Sequence, residues 1–121
     1  MRFIDTLQSR HGRSVNFQEI EGRVNAMAQD FNLQLLYIYG SYASNRAGTL
    51  SDLDIAFLAA EKMSPSVKLS FLQKLQEIFK EEAVDLVDLK EAPLCLIHRI
   101  LKEGRCLFAE SLSVKIEFES K

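Results

Sequence analysis

Cysteine is scarce in this sequence, and the two present, Cys95 and Cys106, stand alone. There is no CxxC pair and no histidine at zinc spacing, which argues against a metal finger. Both thiols are expected to be buried in a reducing compartment. An excess of one charge is also missing. The formal net charge is −2, which offers no broad attraction for DNA or RNA. The opening stretch, MRFIDTLQSRHGRS, lacks the apolar core of a signal peptide, and no apolar run approaches the length that spans a bilayer. These absences lead to the expectation of a cytoplasmic chain with no membrane partner and no direct nucleic-acid partner. Repeats and low-complexity linkers are absent as well, and 121 residues leave no room for two ordinary cores. One domain over residues 1–121 is expected, with a core at about 16–109, an N-terminal arm at 1–15 and a tail at 110–121.

What is present is the composition of a folded globular protein, 47% hydrophobic and 26% charged. Residues 1–15 mix Phe3, Ile4 and Leu7 with Arg2, Arg10 and Arg13, which suits a short helix or a mobile arm. Asn16 and Glu19 stand at capping-box spacing before Ile20, Val24, Met27 and Phe31, so residues 17–31 are predicted to be an amphipathic helix. LQLLYIY (33–39) reads as a first strand ending at Gly40, and residues 52–59 as a second, interior strand.

Ser64 and Pro65 open another helix with a stripe of Leu69, Leu72, Leu75 and Phe79, widened by Phe71 and Ile78. AVDLVDL (83–89) is a third strand. Pro93 starts a helix whose Leu94, Ile97, Ile100 and Leu101 face inward and which ends at Gly104. RCLFA (105–109) is a fourth strand. In the tail, Val114, Ile116 and Phe118 alternate with polar residues, as in an edge strand able to pair in a homodimer or with a partner. The expected fold class is α/β (α+β), a small mixed sheet flanked by helices.

The stretch YGSYASNRAGTLSDLDIAF (39–57) carries the chemistry. Asp52 and Asp54 stand two apart at a strand entrance, so their side chains share a face. No Lys or Arg lies at positions 51–60 to neutralise them. Two such carboxylates repel, and a divalent cation removes the penalty; hard oxygen ligands suit Mg²⁺, which keeps room for substrate phosphates. If the second and third strands are neighbours, Asp85 joins them. Three carboxylates can hold two metals in the arrangement that clamps a phosphoryl displacement. Gly40 then permits close backbone approach, and the following amides with the Ser41 hydroxyl can cradle phosphate oxygens. A lone Asp-x-Asp is more often a turn and cap. Here it stands ten residues after Gly-Ser, between two strands.

Gly40-Ser41, ten residues, then Asp52-Leu53-Asp54 resembles the signature of the polymerase-β-like nucleotidyltransferase superfamily. The chain's brevity is similar to that of its minimal nucleotidyltransferase branch. VDLVDLKEAPLCLIHRILKEGRCLF (84–108) resembles the last strands and helix of the adenylyltransferase antitoxins paired with HEPN-type ribonuclease toxins. The resemblance covers roughly residues 33–109 and implies the nucleotidyltransferase fold. It implies that Asp52 and Asp54 are the catalytic metal-binding pair holding two Mg²⁺ ions, with Asp85 as third carboxylate, and that Gly40 and Ser41 contact the nucleotide's phosphates. It further implies that ATP donates AMP to a hydroxyl of the toxin, commonly a tyrosine, with release of diphosphate and silencing of the ribonuclease. With no second domain in so short a chain, acceptor choice would come from docking of the partner.

Many relatives carry an Arg two positions after the Gly and an Arg-Gly pair soon after it. Here those positions are Tyr42, Ser44 and Asn45, with Arg46 following. Asp88 is expected on the strand face opposite Asp85 and His98 beside an apolar stripe; Tyr37, Tyr39 and Tyr42 could border the nucleotide, but aromatics beside a strand are more often core. Two other functions stay open: a binding antitoxin that works by occlusion, and a transferase acting on a small molecule.

Overall fold

The computed structural model describes residues 6–8, 14–40 and 53–120. It begins with β1 (Thr6–Gln8) and β2 (Ser14–Asn16), paired antiparallel with Leu7 opposite Val15. A helix or arm was the expectation there. The two segments instead satisfy each other's backbone groups, a pairing that local periodicity does not reveal.

Next come α1 (Phe17–Asp30) and then β3 (Leu33–Tyr39) and β4 (Leu53–Ala59), which pair antiparallel. Helix α2 (Pro65–Phe79) crosses over to β5 (Val84–Asp88), which lies parallel to β4. Helix α3 (Leu94–Glu103) leads to β6 (Arg105–Ala109), antiparallel to β3, and α4 (Leu112–Glu119) closes the described chain. The sheet order is β5-β4-β3-β6, so β4 is interior, as expected, and β3 is interior as well. The mixed sheet matches the predicted class, and the β1-β2 pair is an addition to it.

Both faces of the sheet are covered. On one face Leu36, Ile38, Ile55 and Phe57 pack with Val24 and Met27 of α1 and Phe71 and Leu75 of α2. On the other, Tyr37, Tyr39, Ala56 and Leu58 pack under Ile100 of α3, with Val114 and Phe118 of α4 at the margin. Helix α2 begins as its sequence dictates. The Ser64 side chain accepts from the Val67 amide with Pro65 at the first turn, and Lys80 closes the helix in the left-handed region.

Several side chains depart from expectation. Leu69 is 54% exposed, because the buried stripe of α2 is Phe71, Leu75, Ile78 and Phe79. Leu69 precedes Phe71 by two positions, about 200° around the helix, and so faces away. Leu94 is 66% exposed in the first turn of α3, whereas Ile97, Ile100 and Leu101 turn inward. Cys106 is buried, but Cys95 on α3 is exposed.

The tail is a helix and not an edge strand. Ser111 accepts from the Val114 amide at 3.1 Å, the cap that starts α4. The alternating residues contain a second pattern: Val114 and Phe118 are four apart and both reach the core, while Ile116 between them is 55% exposed.

Phe71 is fully buried, edge-on to Phe57 at 5.2 Å and tilted against Phe31 at 5.3 Å. Phe71→Ala is therefore expected to cost about 3–5 kcal/mol in urea unfolding. A loss under about 1 kcal/mol would show that α2 does not seat on β4 through this ring.

Candidate active site

Strand register assembles the site. Tyr39, the last residue of β3, lies opposite Asp54, the second of β4, and Asp54 lies beside Asp85, the second of β5. All three belong to the sheet face under α3, since Ala56 and Leu58, and likewise Val87, share that face by alternation. Neighbouring strands are about 4.8 Å apart, so the two carboxylates start from adjacent points of the sheet. Asp54 is half-buried and Asp85 exposed. The Leu53 amide donates to the Ala83 carbonyl at 3.1 Å, which holds the entrance of β4 against β5.

Gly40 follows Tyr39 with φ 75°, a conformation that disfavours any side chain. A Cβ at this position would fall onto Oδ2 of Asp54 and lie 3.2 Å from its Cγ. The carboxylate of Asp54 thus rests against the bare α-carbon, and Gly is required there on two counts. Ser41 and Asp52 lie outside the described residues, as do Tyr42, Ser44, Asn45 and Arg46. Among the described residues no three His, Cys, Asp or Glu side chains form a metal-holding group. The row supplies two carboxylates among the described residues.

Two further side chains stand at this row. The Tyr39 hydroxyl is pushed up from 10.0 to about 12, first by burial, then by the negative charges of Asp54 and Asp85, with Arg99 acting in the opposite sense. Tyr39 was expected in the core, and it is buried there. Its hydroxyl also feels both acids, which follows from a cross-strand pairing that sequence alone does not reveal. Arg99 on α3 was not anticipated at all. It is 61% exposed and paired with Glu103, Nε to Oε2, at 3.3 Å. The signal that could have found it is its place one step from Ile100 on a helix bounded by Pro93 and Gly104.

Other polar groups do different work. Asp88 accepts from the Lys90 amide at 2.9 Å and caps the turn after β5, as an end-of-strand residue should. His98 is exposed, on the flank of α3 away from the acids, where it borders a groove of about 490 Å³ with Leu58, Leu94 and Phe118. The Tyr37 hydroxyl donates to Glu119 at 2.5 Å and ties α4 to the sheet. Burial and that bond to Glu119 push its ionisation far up. No helix among the described residues is long and apolar enough to cross a membrane.

A mixed sheet with carboxylates paired across adjacent strands, beside a glycine that ends the preceding strand, is the framework of a nucleotidyltransferase. The chain belongs to the polymerase beta nucleotidyltransferase family, whose model matches residues 23–112. The protein adenylyltransferase MntA of Shewanella oneidensis MR-1 is 37% identical over 76 residues, 63% of this chain and 54% of that protein. The chain therefore spans about half the length of the curated relative it matches. Among solved structures, a toxin–antitoxin with AMP-PNP superposes with a TM-score of 0.63 at 31% identity, covering 79% of this chain and 78% of that one. The tri-AMPylated Shewanella oneidensis HEPN toxin in complex with MNT antitoxin gives 0.60 at 30% identity, covering 82% and 77%.

Two outcomes are expected. Gly40→Ala should lower stability by about 1–3 kcal/mol in urea unfolding, since it combines a left-handed non-glycine residue with displacement of Asp54. Wild-type stability would mean the carboxylate has free room to move. For pH, Tyr39 at about 12 and Cys106 at about 11 both sit above their ordinary 10.0 and 9.0, burial being the first cause in each. The native state then holds protons that the unfolded chain releases, so stability is intact below about pH 9 and falls as pH rises toward 12. Asp54→Asn removes one of the charges that oppose the phenolate, so ultraviolet titration should show Tyr39 ionising at lower pH. An unmoved onset would contradict the placement of the two side chains.

Proposed function

We propose that this chain is a Mg²⁺-dependent protein adenylyltransferase that moves AMP from ATP to a hydroxyl, a tyrosine, of a HEPN-type ribonuclease toxin and so acts as its antitoxin. The observation that carries the reading is the row Tyr39–Asp54–Asp85 with Asp54 seated on Gly40. It is supported by a relative named as a protein adenylyltransferase and by solved neighbours that include an AMPylated HEPN toxin with its MNT antitoxin. Residues 1–121 are read as one minimal domain for this task, working in the cytoplasm.

The donor set fits hard divalent cations: carboxylate oxygens, one on a half-buried side chain seated against the bare α-carbon of Gly40 and one on an exposed side chain. Asp52, Asp54 and Asp85 would hold two Mg²⁺ ions, which when bound supply positive charge to the phosphates in flight. Gly40 and Ser41 bind the triphosphate through backbone amides and the Ser41 hydroxyl. Asp85, the exposed acid, orients the acceptor hydroxyl and takes its proton on a carboxylate oxygen as the oxygen attacks the α-phosphorus. The new phosphoester forms as the bond to diphosphate breaks.

The test is transfer of label from α-labelled ATP, with Mg²⁺, to the protein encoded by the neighbouring gene. Label is expected on that partner, reduced roughly a hundredfold or more by Asp52→Ala with Asp54→Ala, with the partner's ribonuclease left active. Full silencing of the partner by the folded double variant would overturn the enzymatic reading and leave occlusion.

A further inference from the structure

The acid row creates an electrostatic problem for the function just proposed. A nucleoside triphosphate must approach Asp54 and Asp85, and the first basic side chain in the stretch that leaves β3 is Arg46, six residues after Gly40. A cation at the rim of the row would reduce the repulsion.

The course of α3 places one there. The helix begins beyond the far end of β5, where Leu94 borders the groove with Leu58 and Leu89. It ends at Gly104, where a Cβ would come within 3.0 Å of the Ile38 carbonyl and 3.4 Å of the Tyr39 Cβ. It therefore crosses the sheet diagonally, from the end away from the acids to the end beside them. Ile97, Ile100 and Leu101 form its packed face. Leu94, His98 and Leu101 lie on the flank toward the groove. At about 100° per residue, Arg99 and Glu103 fall on the opposite flank, which looks toward the row Tyr39–Asp54–Asp85. The field of Arg99 does reach the Tyr39 hydroxyl.

We infer that Arg99 is a phosphate-binding residue, the guanidinium that meets the nucleotide's phosphates from the α3 side of the row, and that Glu103 holds it until nucleotide arrives. This rests on the nucleotidyltransferase reading and adds a residue to it. The Arg99–Glu103 contact joins Nε to Oε2 at 3.3 Å between an exposed Arg99 and a partly exposed Glu103, the kind of pair that gives way to a stronger anion. A phosphate offers the guanidinium two acceptor oxygens in one plane, which an ammonium cannot match.

The test is calorimetric binding of α,β-methylene-ATP with Mg²⁺ to the full chain. Arg99→Gln is expected to weaken binding about tenfold at low salt, with the deficit shrinking as salt rises. Arg99→Lys should recover part of the loss. Glu103→Gln, which releases the guanidinium, should tighten binding about twofold to threefold, an effect that a merely structural role for Arg99 would not produce. The proposal is overturned if Arg99→Gln binds within twofold of wild type, or if Glu103→Gln weakens binding as Arg99→Gln does. Wild-type protein that binds no α,β-methylene-ATP is a separate result and removes the nucleotide reading itself.

Discussion

The register of β4 between β3 and β5 is the constraint from which the rest follows. This strand is covered on both faces. Ile55 and Phe57 point toward α1 and α2, and Ala56 and Leu58 toward α3. A slip of one residue against either neighbour would exchange these sets and drive Asp54 into the apolar layer beneath α2. Burying that carboxylate would cost several kcal/mol, more than the net effect of most single contacts in a small domain. The energetics that keep Asp54 out of the core therefore also set it opposite Tyr39 and beside Asp85. The active-site row and the core are two consequences of one alignment.

This explains why much of the site was legible in the sequence. Successive side chains of a strand take opposite faces, and this fixes which face each Asp of 53–59 and 84–88 takes once the strands are known to be neighbours. Gly40 was legible because the chain must leave an apolar strand and turn beside an acid, and its φ of 75° meets that need. Arg99 was not legible as a member of the site, and Tyr39 read first as a core residue. Their relation to the acids runs through pairings across the sheet and through the diagonal of α3, neither of which leaves a local pattern.

The misread elements have the same cause. In the tail, Val114, Ile116 and Phe118 satisfy a period of two, but Val114 and Phe118 also satisfy a spacing of four. The cap at Ser111 and the surface offered by Tyr37 and Cys106 select the helix. Leu69 and Leu94 fit helical stripes but stand outside the buried faces: Leu69 lies about 200° around α2 from Phe71, and Leu94 is in the exposed first turn of α3. The β1-β2 pair is formed by segments too short for periodicity to register. Helix and strand type is thus written locally where a segment is long and faces one layer. It becomes a tertiary decision at the margins.

The placement of the acids at the end of the sheet, and not at its middle, follows from how α3 covers its face. Ile100 closes over Tyr37 and Ala56 near the centre, where a carboxylate would be desolvated without compensation. Toward the β5 edge the helix has veered away, so Asp85 is exposed and Asp54 half-exposed. Both reach water there, still held by rigid strands. An exposed loop would give them water but no fixed geometry, and the sheet centre would give geometry but no charge. The entrance of β4, flanked by a bare glycine, gives both, and a charged ligand requires both.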